Sequence, residues 1–176
     1  MEIGNMITKR ILVSIFNGYV LNPTGTHGIS HWGRVLENGL RLAEMNSADP
    51  VVVTYFALFH DSRRINEHID YGHGKRGAEL FLELSAEISV SEYQRAEIVE
   101  ACSHHTDGTT EGSITVQTCW DADRLDLWRV GKKPRKSLLC TEAAKEDSVL
   151  DWSRKKSENR EFPSCSNDWL RMINAN

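Results

Sequence analysis

Apolar residues recur along most of this chain with the period of a helix. From Met6 to Tyr19, Ile7, Ile11, Ile15 and Tyr19 fall four apart, which predicts a first helix. Asn22-Pro23-Thr24-Gly25 breaks the pattern as a loop. A second helix is expected from about His27 or Ser30 to Asn46. Trp32, Val35, Leu36, Gly39, Leu42 and Ala43 share one face of it, and His31 borders that face one turn before Val35. Gly28 and Ser30 suit its entry. Asp49-Pro50 reads as an N-cap followed by a proline at the first helical position. The run Val51 to Phe56 alone fits a buried strand or a buried helix, because periodicity does not separate the two. The cap, and the lack of a second strand-like segment, favour a helix that ends near Arg64.

Asn66 to Gly74 is polar, holds two glycines and reads as a loop. A helix from about His73 to Glu87 should follow, with Ala78, Phe81, Leu82 and Leu84 turned inward. Ser91 with Gln94 has the spacing of a capping box, and it opens a helix that runs to about His105. After a turn-rich loop over Thr106 to Gly112, another helix spans roughly Ile114 to Val130. Gly131 to Lys136 is a connector, and Thr141 to Lys156 reads as one last amphipathic helix. The polar tail after Glu158 carries Trp169-Leu170 and is expected to pack loosely or against a neighbour. The pattern predicts an all-α, single-domain bundle over residues 1–158, with a C-terminal tail over 159–176.

At 176 residues the chain has the size of one domain with a sizeable core. A net charge of −4 provides no global basic field, which argues against a nucleic-acid partner. The longest apolar run falls far short of the roughly 20 residues that span a bilayer, so no membrane partner is expected. Met1-Glu2-Ile3-Gly4-Asn5 has no basic segment leading into an apolar one, and a cytoplasmic protein is expected. Cys102, Cys119, Cys140 and Cys165 are widely spaced and read as reduced thiols rather than a zinc finger. Lys132, Lys133, Arg135 and Lys136 read as a solvated connector in preference to an anion-binding patch.

The chemistry concentrates at His60-Asp61, which ends the apolar run Val51 to Phe59. A carboxylate there must be paired or bound, because an isolated buried charge is costly. A divalent transition metal suits both side chains: Mn, Fe, Co, Ni or Zn, with Mg also admitted. Asp123 poses the same question. It falls between Trp120 and Leu127 in a stripe formed with Val116 and Val130. Asp126 lies with Ala122 and Arg129, and Asp121 with Leu125, so both read as solvated helix charges. His105 continues the apolar face of Ile98, Ala101 and Cys102, and His104 is rotated off it. His27 and His68 read as loop residues, with His27 near enough in sequence to line a pocket.

Taken in order, four pieces resemble the HD-domain superfamily of metal-dependent phosphohydrolases over roughly residues 27–130. They are His31-Trp32-Gly33-Arg34-Val35, His60-Asp61 closing an apolar helix, a histidine closing a helix near Ala101-Cys102, and Asp121-Ala122-Asp123-Arg124-Leu125-Asp126. The resemblance implies an all-helical fold and a metal bound by His31, His60, Asp61 and Asp123. His105 matches the extra histidine of many members, which contacts phosphate or a second metal. Some nucleotidase members carry an acidic residue for proton transfer one turn after the His-Asp pair. Here that position is Arg64, better suited to gripping phosphate, and the general acid or base stays open. The loop Asp70 to Arg76 opens a helix, whose free N–H groups favour anions. His73, Lys75 and His104 are therefore assigned to substrate binding, and His105 and Arg64 to catalysis, stabilising charge on the phosphate or protonating the leaving oxygen.

The activity so implied is hydrolysis of a phosphate ester, a nucleotide or small phosphorylated metabolite, by a metal-activated water. Two alternatives stand beside it: a non-catalytic HD-fold ligand-binding or regulatory module, and a di-iron HD protein that activates oxygen. A homo-oligomer is left open.

Overall fold

The computed structural model describes residues 6–174, all of whose regular structure is helical. The elements are α1 (Lys9–Asn17), α2 (Ile29–Asn46), α3 (Pro50–Phe59), α4 (His73–Glu83), α5 (Glu92–His104), α6 (Ile114–Leu125), α7 (Glu142–Lys145), α8 (Asp147–Glu158) and α9 (Ser164–Asn174). Among the described residues no helix is long and apolar enough to cross a membrane.

α3 is the axis of the bundle. The Asp49 carboxylate accepts from Val51 N at 2.8 Å, and Pro50 needs no donor partner at the first position. Every residue from Val52 to Phe59 is buried. A helix apolar on all sides is stable only when other helices cover all of it, and α2, α4, α5 and α6 do so. That resolves the strand-or-helix ambiguity of the run. The helix stops at Phe59 rather than near Arg64, and His60 to Arg63 continue as turns.

α5 opens with the expected capping box: Ser91 Oγ accepts from Gln94 N, and Gln94 Oε1 accepts from Ser91 N. α4 presents Gly74, Gly77, Ala78 and Phe81 inward, and Leu82, one residue further around the axis, is 43% exposed instead of buried. The helix ends at Glu83 and a short 3-10 turn, Ser85–Glu87, follows. α6 likewise ends early, at Leu125, and Asp126–Val130 winds as a tighter 3-10 turn. The change of period shifts the phase of the apolar stripe, and Val130 emerges at 39% exposure.

The expected helix from Thr141 to Lys156 is two. Glu146 adopts an extended backbone (φ −64°, ψ 134°), ending α7 and capping α8. Leu42, Leu125, Leu139, Ala143, Ala144 and Val149 form a second small core that ties this pair to α2 and α6. The tail is neither loose nor peripheral: α9 lies against α1 and α2, Trp169 joins the main core, and Ser166 Oγ donates to Ile29 O at 2.8 Å. All four cysteines are free thiols.

Candidate metal centre

His31 stands on the first turn of α2, His60 and Asp61 on the turn that leaves α3, and Asp123 on the last turn of α6. Their functional atoms converge. His31 Nε2 lies 3.1 Å from His60 Nε2, 3.5 Å from Asp61 Oδ2 and 3.4 Å from Asp123 Oδ1. His60 Nε2 lies 3.9 Å from Asp61 Oδ2 and 4.0 Å from Asp123 Oδ1. Ligands held about 2.1 Å from one ion stand roughly 3.0 to 4.2 Å apart, depending on the angle between them, so these separations fit a shared cation.

The other oxygen of Asp61 faces a second set. Asp61 Oδ1 lies 3.1 Å from His73 Nε2 and 3.7 Å from His105 Nε2, and the two imidazole nitrogens are 3.0 Å apart. His31, His60 and Asp61 form one compact donor group, and Asp61, His73 and His105 form another. Asp61 belongs to both.

The tautomers of these histidines follow from their other nitrogens. His31 Nδ1 donates to Asp126 Oδ2 at 2.7 Å. His60 Nδ1 donates to Phe56 O and Ala57 O, each at 3.1 Å. His73 Nδ1 donates to Asp70 O at 2.6 Å, and His105 Nδ1 to Cys102 O at 2.8 Å. Each proton on Nδ1 leaves the neutral ring with a lone pair on Nε2. The facing lone pairs of His31 and His60, with carboxylate oxygens alongside, repel one another unless positive charge sits between them, whereas at the second pair the Arg64 guanidinium already stands 3.0 Å from His73 Nε2. A divalent ion bound by imidazole nitrogen and carboxylate oxygen answers that need.

The field of the cluster points the same way. Burial raises the pKa of Asp61, but the surrounding imidazoles outweigh it and hold the carboxyl well below the usual range. Burial drives His60 down to about 3, keeping it neutral and able to ligate. His105 is the exception: burial pulls it down, yet the neighbouring Asp61 and Asp123 carry it above its ordinary value and favour a proton on Nε2.

Asp126 is not the solvated charge expected from its place on the helix. It is fully buried and accepts from His31, from Arg34 Nε at 2.7 Å and Nη2 at 3.1 Å, and from Ser157 Oγ at 2.6 Å. Burial would raise its pKa, but these donors hold it depressed. It orients His31 and makes its Nε2 more basic. Asp121 is also buried, because it accepts Cys140 N, Thr141 N and Thr141 Oγ1 where α7 begins. Both face neighbouring protein, which a single-helix projection reads as an outward direction.

The remaining expected site residues divide. Arg64 is buried beside the second set, its Nη1 3.0 Å from His73 Nε2 and 3.4 Å from Asp61 Oδ1. His73, expected at the substrate, sits among the candidate metal donors, because α4 begins there and packs its first turn on α5. Lys75 is exposed on the outer side of α4. His104 is half-exposed and paired with Asp107. Neither borders the cleft, which departs from their expected role at the substrate.

That cleft, about 620 Å³, is lined by Asp61, Arg64, His105 and Asp123, and by His27 and Glu67. His27 Nδ1 bonds the Glu67 carboxylate, and burial lowers the pKa of the imidazole. Glu67 gave no signal in the sequence, since it lies in a polar loop. It places a carboxylate in the lining of the cleft. A scan against protein-family models and searches of curated proteins and of solved structures find nothing similar to this chain.

Proposed function

We propose that the protein is a metal-dependent phosphohydrolase of the HD type, acting on a phosphate ester. The observation that carries this reading is the disposition of four imidazoles. All four have Nδ1 committed to a protein acceptor and Nε2 turned on Asp61 or on one another. His31, His60, Asp61 and Asp123 would hold one ion, and Asp61, His73 and His105 a second. A divalent ion held there would polarise a phosphoryl oxygen and bring the pKa of water toward neutrality.

The chain's own groups supply the rest. The Arg64 guanidinium, already turned to the carboxylate at the centre, binds the phosphoryl oxygens and offsets their charge. Glu67, paired with His27 and partly open to the cleft, takes a proton from the attacking water. In the reaction the water oxygen bonds to phosphorus, the ester P–O bond breaks, the leaving oxygen takes a proton from solvent water, and Glu67 returns its own proton to solvent. The nitrogen-rich second set also favours iron, which keeps an oxygen-activating di-iron protein as a second reading.

The test is elemental analysis of purified protein, then hydrolysis of 4-nitrophenyl phosphate with the metal identified. Asp61→Ala should lose the metal from both sets and all turnover. Stoichiometric metal retained by this variant refutes the shared carboxylate. Bound iron with visible absorption, oxygen uptake and no phosphate release favours the second reading.

A further inference from the structure

The basic connector is not a solvated linker alone. It forms one side of a second pocket, about 610 Å³, that meets the cleft at His105, Thr106, Asp123, Leu127 and Lys132. The volume is that of a site for a small organic molecule. Leu127, Pro134, Leu138 and Leu139 provide apolar walls. Lys132, Lys133 and Arg135 provide cations, and Asp123, a ligand of the first donor set, is the one carboxylate among the lining residues.

Arg124 braces the pocket from beneath. Its guanidinium donates to Leu138 O on the connector and to Thr109 O on the loop after α5, so both walls are fixed to α6. Lys136 is paired with Asp147, whereas neither Lys132 nor Arg135 has an ion pair among the described residues. A sugar or polyol body would find few partners for its hydroxyls on these walls. A flat apolar body would be covered, and an anionic group on it would meet the connector's cations.

We infer that this pocket receives the leaving group of the ester, and that the substrate is a phosphate ester of an apolar, flat alcohol bearing a second anionic group. This rests on the phosphohydrolase reading for the position of the phosphoryl group, with Lys132, Lys133 and Arg135 as specificity-determining residues. The second anion sits toward Lys133 and Arg135, which line this pocket and not the cleft.

Three non-hydrolysable phosphonates separate the parts: methylphosphonate, benzylphosphonate and 4-carboxybenzylphosphonate, titrated calorimetrically into the metal-loaded protein. Benzylphosphonate should bind about tenfold tighter than methylphosphonate, and the carboxylated compound about tenfold tighter again. Lys133→Ala/Arg135→Ala should abolish the second gain and keep the first. Leu138→Asp, at an exposed edge, should abolish the first. Equal affinity for all three, or both gains surviving in these variants, overturns the pocket assignment. Absence of binding by any of them overturns it together with the phosphate site. If the order holds but 4-carboxybenzyl phosphate is not cleaved, the pocket stands as a site for an apolar anion, and its leaving-group role falls with phosphohydrolysis.

Discussion

At the scale of single residues, what distinguishes this site is where protons are held. Four Nδ1–H groups are anchored to protein acceptors, which aims four Nε2 lone pairs inward. Only one of those anchors is a carboxylate, Asp126, and Arg34 and Ser157 fix it in turn. Asp126→Asn should therefore weaken metal binding by roughly 10- to 100-fold, the usual effect of losing such a partner. Chelator competition reads this directly. Asp121→Asn, equally buried but bonded only around the start of α7, should lower the melting temperature and leave metal affinity alone. If both variants bind metal like the parent, Asp126 does not tune His31.

At the scale of helices, the second donor set depends on how near α4 comes to α5. Gly74 makes that approach: a Cβ built there would stand 2.1 Å from Cys102 O and 2.9 Å from the His105 ring. Gly77 does the same against α3, where a Cβ would meet Phe59 O at 2.1 Å. Gly74→Ala should push the helices apart, destabilise the fold by about 1–3 kcal/mol and separate His73 from His105. Bound metal should fall from two ions to one, with cooperative melting preserved. Two ions retained would show that the spacing of α4 and α5 does not set this pair. The caps act at the same scale. Asp49 and the Ser91–Gln94 box start α3 and α5 at fixed residues, which sets where His60 and His105 emerge.

For the whole molecule, the buried imidazoles make stability depend on pH. His60 has a folded-state pKa of about 3 because of burial, against 6.5 when exposed. Below pH 6.5 the unfolded chain takes up a proton that the folded state refuses. The stability is thus complete above 6.5 and declines as pH falls toward 3, by about 1.4 kcal/mol per pH unit for this group. His27, also lowered by burial, acts in the same direction, and Asp61 extends the loss below the ordinary carboxylate range. His105, raised by its carboxylate neighbours, acts in the opposite direction above 6.5, where its contribution falls as pH rises, and adds no slope well below 6.5. Urea unfolding of chelator-treated protein at pH 6, 5 and 4 should give falling midpoints. A flat or rising series means that His60 and His27 are not held neutral in the fold.

The family resemblance grouped His31, His60 and Asp61; hydrophobic period and capping residues determined the helical class, the burial of α3 all round, and the inward direction of Asp123 and His105. Each of these is a property of one helix about its own axis, so the order of residues suffices. The tertiary structure alone decided what each polar face meets. Asp121 and Asp126 turn away from the stripe yet face α7 and α8. His73 sits at a loop edge until Gly74 draws α4 onto α5, and Glu67 and the basic connector gain their places through contacts remote in sequence. A periodic pattern gives the angle of a side chain but not the partner opposite it, and a polar group facing another helix reads the same as one facing water.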